Sequence, residues 1–235
     1  MAGSRSRWLF GAPLFVCLTA PAQTLHFIGE WRLLDAGRVR AHLGATGARM
    51  ELETSGLADS LYPVRDSYRV NYDRSLCASD SVEDSQQGKK HREIKVTYRG
   101  GKASRLERDL LNKGETAASG EVATPACVHD ILGALEKLRR TAPADGSFTL
   151  PISDGRRSAG VEIRVQEKET IRTRAGVFSA IRYEAMLFNG VIFRRKARLF
   201  VWLSDDARRL PVQIRVQLPF YLGTVTLQLE REEPG

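Results

Sequence analysis

The sequence predicts a mainly β protein, a curved antiparallel meander that forms an open or partial barrel with one amphipathic helix packed against it. Apolar and polar residues alternate along many short segments, which is the period-two pattern of strands. Turn residues separate these segments, and a single segment has helical periodicity instead. No Pro/Gly/Ser-rich linker divides the chain, so residues 23–235 are expected to form one domain.

The clearest strands lie near the C terminus. Apolar and polar residues alternate over 212–218 and again over 224–230, and the short connection between them predicts an antiparallel hairpin of half-buried strands. The small polar segment 112–121 is expected to be a mobile loop. Glycine-containing turns are predicted at 35–37, 45–47, 100–101 and 154–155. Further strands are predicted at 25–34, 38–43, 49–54, 66–72, 92–98, 148–152, 161–165, 181–187 and 193–203.

One segment, about 125–140, is predicted to be helical. Thr124 is its expected N-cap, Pro125 lies in the first turn and Pro143 prevents continuation. An apolar helix face must be covered, so the helix is expected to pack on the open side of the sheet. The apolar residues at helical spacing are Val128, Ile131, Leu132, Leu135 and Leu138.

The first 22 residues are typical of a secretory signal peptide. Arg5 and Arg7 precede an apolar stretch over 8–18, and small residues stand at 20 and 22. An uncleaved anchor or a buried helix is the alternative, but a membrane-spanning helix needs about 20 apolar residues. The mature protein is therefore expected in the periplasm or outside the cell, without a transmembrane segment.

The formal net charge is +8, and basic residues cluster at 89–92 and 156–157. A positive surface would attract anionic partners such as lipid headgroups, lipopolysaccharide or acidic glycans. Nucleic acid is not an expected partner, because the chain is predicted to be exported and carries no recognisable reader motif.

Two cysteines follow the predicted signal peptide, Cys77 and Cys127. An even pair in an oxidising compartment predicts a disulfide, and two unrelated buried thiols are the alternative. A metal site is not expected, because the chain has no C-x-x-C pair and no histidine at ligand spacing beside either cysteine. No cofactor is expected.

Four aromatic residues are candidates for lining a ligand cavity, because a curved sheet of many strands can enclose an apolar ligand. The alternative is that they belong to an ordinary core. These candidates are Trp31, Tyr183, Phe193 and Trp202.

Three cationic residues are candidates for contacting an anion. If 193–203 is one strand, Arg194, Lys196 and Arg198 point to the same face. An ordinary solvated face is the alternative.

The chain has the residue types of a hydrolase but no Gly-x-Ser-x-Gly elbow. These residues are His129, Ser204, Asp205 and Asp206. Aspartates are common in turns, and an acidic residue near a helix start suits the helix dipole. No enzymatic activity is expected.

Segments 127–135 (CVHDILGAL), with Leu138 and Arg139 beyond, 201–206 (VWLSDD) and 210–212 (LPV) resemble the exported bacterial family catalogued as domain of unknown function 3108. The resemblance covers most of the mature chain. It implies a secreted or periplasmic β-rich domain without an assigned reaction. Motif residues whose role it leaves open are Asp130, Arg139, Asp205, Asp206 and Pro211.

The first functional hypothesis is a non-catalytic envelope protein that binds a lipid or another amphipathic molecule in a half-open barrel with cations at its mouth. It draws on the analogy with bacterial lipoprotein carriers, which are open barrels with helical covers. The alternative is a structural or assembly protein that binds another envelope protein. A hydrolase is the third hypothesis.

Overall fold

The computed structural model describes residues 22–219 and 223–234. The predicted signal peptide therefore lies outside the described residues, apart from Ala22. Two helices, α1 (Gly56–Leu61) and α2 (Ile131–Thr141), accompany the strands. The strands are β1 (Gln23–Trp31), β2 (Leu34–Leu43), β3 (Gly47–Thr54), β4 (Val64–Tyr72), β5 (Ala78–Gln87), β6 (Lys90–Arg99), β7 (Lys102–Asp109), β8 (Glu115–Ala123), β9 (Ser147–Ser153), β10 (Ser158–Thr173), β11 (Gly176–Ala185), β12 (Arg198–Ser204), β13 (Pro211–Gln217) and β14 (Thr224–Pro234).

The described strands form one antiparallel sheet in the order β8-β7-β6-β5-β4-β3-β2-β1-β14-β13-β12-β11-β10-β9. Strands β8 and β9 are the two edges, so the sheet stays open. The sheet is strongly curved. The backbone amide of Ala175 in the β10–β11 turn donates to the carbonyl of Leu229 in β14, although β10 and β14 are four places apart in the sheet order. The predicted mainly β, open meander is confirmed.

The edge at β9 is partly covered by the segment that precedes α2. His129 forms an isolated parallel bridge with Ile152, in which the His129 amide donates to Pro151 and its carbonyl accepts from Ser153. Exposed strand edges are templates for pairing with another chain. This segment occupies part of the β9 edge, so fewer of its backbone groups are open to pairing with another chain.

Strand β12 is buried on both faces. Phe200 and Trp202 belong to one apolar cluster, and Val201 and Leu203 belong to a second. Successive residues of a strand point to opposite faces, so β12 separates the two clusters. The adjacent β13 is also more buried than a half-buried strand, and its Gln213 is inaccessible. The β13–β14 hairpin is confirmed, but the simple polar-out alternation predicted for β13 is wrong.

Three strands were missed by sequence reasoning, namely β5, β7 and β8. The predicted mobile loop 112–121 is wrong, because most of it is β8, paired antiparallel with β7. The side chains of β8 are almost all exposed, so no apolar alternation marks the strand. Its backbone hydrogen bonds to β7 hold it in place instead.

The first reversal is displaced from its predicted position. Strand β1 ends at Trp31, and the turn consists of Arg32 and Leu33, with φ of 51° and 68°. Gly37 lies within β2, where a Cβ atom would be 2.4 Å from the Glu53 carbonyl oxygen. That glycine therefore permits a close approach of β2 and β3. The glycine turn predicted at 100–101 does have positive φ values.

The predicted helix exists, but it begins later than expected. Asp130, and not Thr124, is the N-cap of α2, which ends at Thr141 shortly before Pro143. The residues predicted as its first turn are not helical, and Val128 instead accepts a hydrogen bond from the amide of Ala78. Helix α1 was not predicted.

The predicted disulfide is confirmed. Cys77 and Cys127 are bonded, with their Cα atoms 4.9 Å apart. The bond joins the β4–β5 connection to the segment that leads into α2. It therefore fixes where the helix starts relative to the sheet.

Strand β7 carries a buried carboxylate, Glu107, whose side chain is 2% exposed. Arg105 and Arg156 lie 2.7 and 2.9 Å from its Oε2 atom, and Arg92 contacts Oε1. Burial alone would raise the pKa of Glu107, but the hydrogen bonds and charges of these arginines outweigh it and lower the pKa.

Glu107→Gln is expected to lower the free energy of unfolding by about 2 kcal/mol near neutral pH, because three charged contacts are lost. A lowered carboxyl pKa stabilises the fold above the unfolded pKa of about 4.3, and this stability is lost as pH falls. Denaturant unfolding of both proteins at about pH 7, 5 and 3.5 measures the effect. A difference in the free energy of unfolding between wild type and variant that does not narrow at acid pH would contradict this account.

Candidate functional site

A groove at one end of the sheet brings together basic and aromatic side chains, and we call it the arginine–aromatic groove. It encloses about 990 Å³, within the usual range of ligand pockets. Five strands that are adjacent in the sheet build it, β1, β14, β13, β12 and β11. Its lining residues are Glu30, Arg32, Leu33, Arg182, Arg198, Phe200, Trp202, Arg215, Gln217, Leu218, Gly223, Thr224 and Thr226.

The strand register explains why these residues meet. Phe200 lies opposite Arg215, Arg215 lies opposite Thr226, and Thr226 lies opposite Glu30. Residues directly opposite one another project from the same face of a sheet. One row of side chains therefore crosses four strands and lines the groove.

Guanidinium groups and aromatic rings alternate along the groove. The Cζ atom of Arg198 is 4.8 Å from the ring centroid of Phe200, and that of Arg182 is 5.6 Å from the same ring. Arg182 also lies 5.9 Å from the Trp202 ring, which Arg215 approaches to 5.0 Å from the other direction. These separations are within the range of cation–π contacts. Three cations are thus held against two rings.

The three arginines differ in charge compensation. Arg198 is 2.7 Å from Glu184, and Arg182 is 2.6 Å from Glu167. For Arg215, no carboxylate of residues 22–219 and 223–234 lies within ion-pairing distance. Arg215 therefore offers an uncompensated positive charge beside Trp202.

Three buried N–H groups of this stack have no hydrogen-bond partner among the described residues. They are Trp202 Nε1, Arg182 Nε and Arg215 Nε. A buried polar group without a partner costs about 1–3 kcal/mol. Guanidinium groups bind carboxylate and phosphate well, because the planar fork can donate two parallel hydrogen bonds. The groove is thus suited to a ligand with an anionic group and an apolar portion.

The four predicted cavity-lining residues do not share one cavity. Tyr183 is completely buried, and its hydroxyl donates to Pro143 O and accepts from Arg209 Nη2. Phe193 packs on Phe188 beside the second apolar cluster. Trp31 lines a separate apolar cavity of about 330 Å³. Trp202 is therefore the one of the four that lies in the groove.

The predicted strand 193–203 is wrong in its first half, because β12 begins at Arg198. Residues 186–197 form a connection, in which Asn189 and Gly190 have positive φ and the Asn189 amide donates to Arg195. Arg194 and Lys196 are exposed on this connection and do not share a strand face with Arg198. Arg198 alone of these three lines the groove.

Two of the motif residues join α2 to the β12–β13 turn. Arg139 donates to the carbonyls of Arg208 and Arg209 at 3.3 and 3.1 Å. Asp206 holds the same turn, since its carboxylate accepts from Ser204 Oγ and from the Arg208 amide. Arg139 therefore ties α2 to a turn that Asp206 holds in shape.

The other motif residues also have partners within the fold. Asp130 caps α2 by accepting from the amides of Leu132 and Gly133. Asp205 pairs with Lys168, and Pro211 begins β13.

The residues considered for hydrolysis take part in similar bonds. His129 Nδ1 donates to the Leu76 carbonyl at 2.7 Å, and the imidazole is buried. Ser204 Oγ donates to Asp206 and accepts from the Leu210 amide at 2.8 Å. The described bonds of both side chains serve local structure.

Sequence reasoning missed Arg182 and Arg215 as members of the groove. Arg215 stands in the alternating pattern of β13 and was visible only as a polar position of that strand. Arg182 faces Trp202 through the β11–β12 register, which no local pattern reveals.

A family model described as protein of unknown function (DUF3108) matches residues 27–230. The chain belongs to this family. No functionally curated protein matches the DUF3108 chain. Among its described residues, no helix is long and apolar enough to cross a membrane.

Solved structures of other uncharacterised families are similar to this DUF3108 protein. A β-barrel-like protein of the DUF1849 family from Brucella abortus is 8% identical, with a TM-score of 0.58, over 93% of this chain and 99% of that one. A DUF1089 family protein from Pseudomonas aeruginosa is 14% identical, with a TM-score of 0.43, over 88% and 95%. The first likeness shows the fold alone, and the second is too remote to carry an argument.

Proposed function

We propose that this DUF3108 protein is an exported, non-catalytic binding protein that holds an anionic amphipathic molecule, such as a lipid, in the arginine–aromatic groove. The observation that carries the proposal is the alternation of arginines and aromatic rings, in which the charge of Arg215 is uncompensated among the described residues. The predicted signal peptide supports a periplasmic or secreted location, and the Cys77–Cys127 disulfide is consistent with an oxidising compartment.

The ligand's apolar portion would lie against the partly exposed Leu218, because the rings of Phe200 and Trp202 are themselves buried, and its anionic group would face Arg215.

Arg215→Gln is expected to weaken the binding of a dansyl-labelled fatty acid about tenfold, because a charge-assisted hydrogen bond contributes roughly 1.5–3 kcal/mol. Fluorescence titration measures the affinity, and the methyl ester of the same probe reports binding without the charge. Arg108→Gln is the matched control, since Arg108 is a partly exposed arginine on β7, far from the groove in strand order. Equal affinities of the two variants for the acid would contradict the proposed site.

The natural ligand is sought by native mass spectrometry with lipid extraction, on protein gently purified from a bacterial periplasm. A stoichiometric adduct of lipid mass, reduced in Arg215→Gln, is the expected result. The alternative of an envelope assembly protein stays a prediction, and it requires no ligand in the groove. A bare protein mass together with no affinity for the fatty acid would favour it.

A further inference from the structure

A group of large apolar side chains is exposed near the mouth of the groove, and we call it the leucine rim. Leu33 at the tip of the β1–β2 turn is 93% exposed, and its neighbour Leu34 is also exposed. Helix α1 and the residue after it contribute the rest. The leucine rim consists of Leu33, Leu34, Leu57, Leu61 and Tyr62.

The two parts of the leucine rim are adjacent. The amide of Ser55, the N-cap of α1, donates to the Ala36 carbonyl of β2 at 3.0 Å. Leu61 and Tyr62 line one apolar cavity of about 330 Å³ with Trp31, the last residue of β1. Leu33 itself lines the arginine–aromatic groove. The β1–β2 turn therefore stands between two cavities.

Neither turn geometry nor folding favours leucine at the tip of this turn. Arg32 and Leu33 both have positive φ. Two-residue turns of this kind prefer Asn and Gly, because a Cβ atom is strained in the left-handed region. The leucine side chain also gains no burial within the described structure. An apolar residue that serves neither purpose points to a contact outside the molecule.

Basic residues flank the leucine rim at the same end of the sheet. Trp31 pairs with Val225, Thr224 pairs with Gln217, and Gln217 pairs with Arg198. These pairs put the β1–β2 turn and the 186–197 connection three strand spacings apart, roughly 15 Å. The exposed cations of that connection are Arg194, Arg195 and Lys196.

Two of the acidic groups beside the leucine rim have arginine partners. Asp35 pairs with Arg174, and Asp59 accepts from Arg65 at 2.7 Å. The surface around the leucine rim is therefore apolar at its centre and positive at its side, which complements a layer of anionic headgroups.

We propose that this end of the molecule docks on a bilayer surface that contains anionic phospholipid. The leucine rim enters the interface, and Arg194, Arg195 and Lys196 contact the phosphates. Interfacial binding grows with buried apolar area and with attraction to anionic lipid. Trp31 and Tyr62 are of the residue types enriched at membrane interfaces. Docking of this kind holds the groove mouth at the lipid surface, but it rests on the leucine rim and not on the proposed groove ligand.

Vesicle flotation tests the proposal with two compositions, phosphatidylglycerol mixed with phosphatidylethanolamine, and phosphatidylcholine alone. Wild type is expected to float with the first and much less with the second, and added salt should release it. Leu33→Asn is expected to reduce flotation about tenfold, because the leucine that would enter the bilayer interface is replaced by a polar side chain. Asparagine tolerates the left-handed conformation, so the turn itself is preserved.

The matched control is Leu111→Asn, since Leu111 is 63% exposed on the β7–β8 connection, and β7 is five places from β2 in the sheet. It should float like wild type. Arg215→Gln should also float like wild type, which separates failure of docking from failure of the groove. Equal flotation of wild type and Leu33→Asn would overturn the proposal. The proposal would also be overturned if wild type bound neither vesicle but self-associated in sedimentation velocity, and Leu33→Asn abolished that association.

Discussion

Replacing Cys77 and Cys127 together with alanine is expected to lower the free energy of unfolding by about 4 kcal/mol. The disulfide joins residues that are 50 apart in sequence, so its removal returns a large loop entropy to the unfolded chain. This is a large share of the roughly 5–15 kcal/mol that stabilises a typical domain.

The native contacts beside the disulfide are expected to weaken as well. The Ala78 amide donates to Val128 at 2.8 Å, and His129 Nδ1 donates to the Leu76 carbonyl at 2.7 Å. Both bonds hold the segment that leads into α2, so opening the disulfide is expected to raise amide hydrogen exchange first in that segment.

Denaturant unfolding of wild type, reduced wild type and the double variant measures the effect. Reduced wild type is the matched control, because it lacks the bond but keeps both side chains. Thiol labelling of the denatured protein should modify neither cysteine before reduction and both after it. Unfolding of all three proteins at the same denaturant concentration would contradict the assigned role.

Sequence patterns predicted the elements in which apolar side chains recur at the spacing of a buried face. The hairpin of β13 and β14 was visible because apolar residues alternate along both strands. The disulfide followed from cysteine count and predicted export. Helix α2 was visible through its apolar spacing, but its start was not. Thr124 and Pro125 are typical of a helix start, yet the residues before Asp130 are not helical.

The missed strands are those held by pairing and not by an apolar face. Strand β8 has almost only exposed side chains, and β7 carries two buried charged residues, Arg105 and Glu107, that pair with each other. Sequence periodicity predicts a strand only where one face buries apolar side chains. It therefore fails for strands that are held by backbone hydrogen bonds and ion pairs.

The groove could be predicted only in part for a related reason. Arg198 and Trp202 are close in sequence, and their chemistry suggested a ligand site. Arg182 and Arg215 come from the two neighbouring strands and meet Trp202 through the sheet register. One residue of register shift would move either arginine to the opposite face.

Asp130→Ala is expected to lower the free energy of unfolding by about 3 kcal/mol, because a buried cap is lost. The Asp130 carboxylate accepts from the amides of Gly133 and Leu132 and from the Tyr68 hydroxyl, at 2.8, 2.9 and 3.1 Å. Alanine would leave all three donors without this partner in an inaccessible site. Thermal and denaturant unfolding measure the loss.

Asp130→Asn is the matched control, since it keeps the shape and one acceptor oxygen, and a loss of about 1 kcal/mol is expected. Burial raises the pKa of Asp130, although its hydrogen bonds oppose the shift. A raised carboxyl pKa makes stability fall as pH rises above the ordinary value of about 3.9.

The two buried carboxylates should therefore respond to pH with opposite sign. The difference in the free energy of unfolding between wild type and Asp130→Asn should narrow as pH rises, because the pKa of Asp130 is raised. The corresponding difference between wild type and Glu107→Gln should widen, because the pKa of Glu107 is lowered. Both gaps come from the same unfolding experiments, so solvent and salt effects are shared. Gaps that change with pH in the same direction would show that the environment assigned to one of the two carboxylates is wrong.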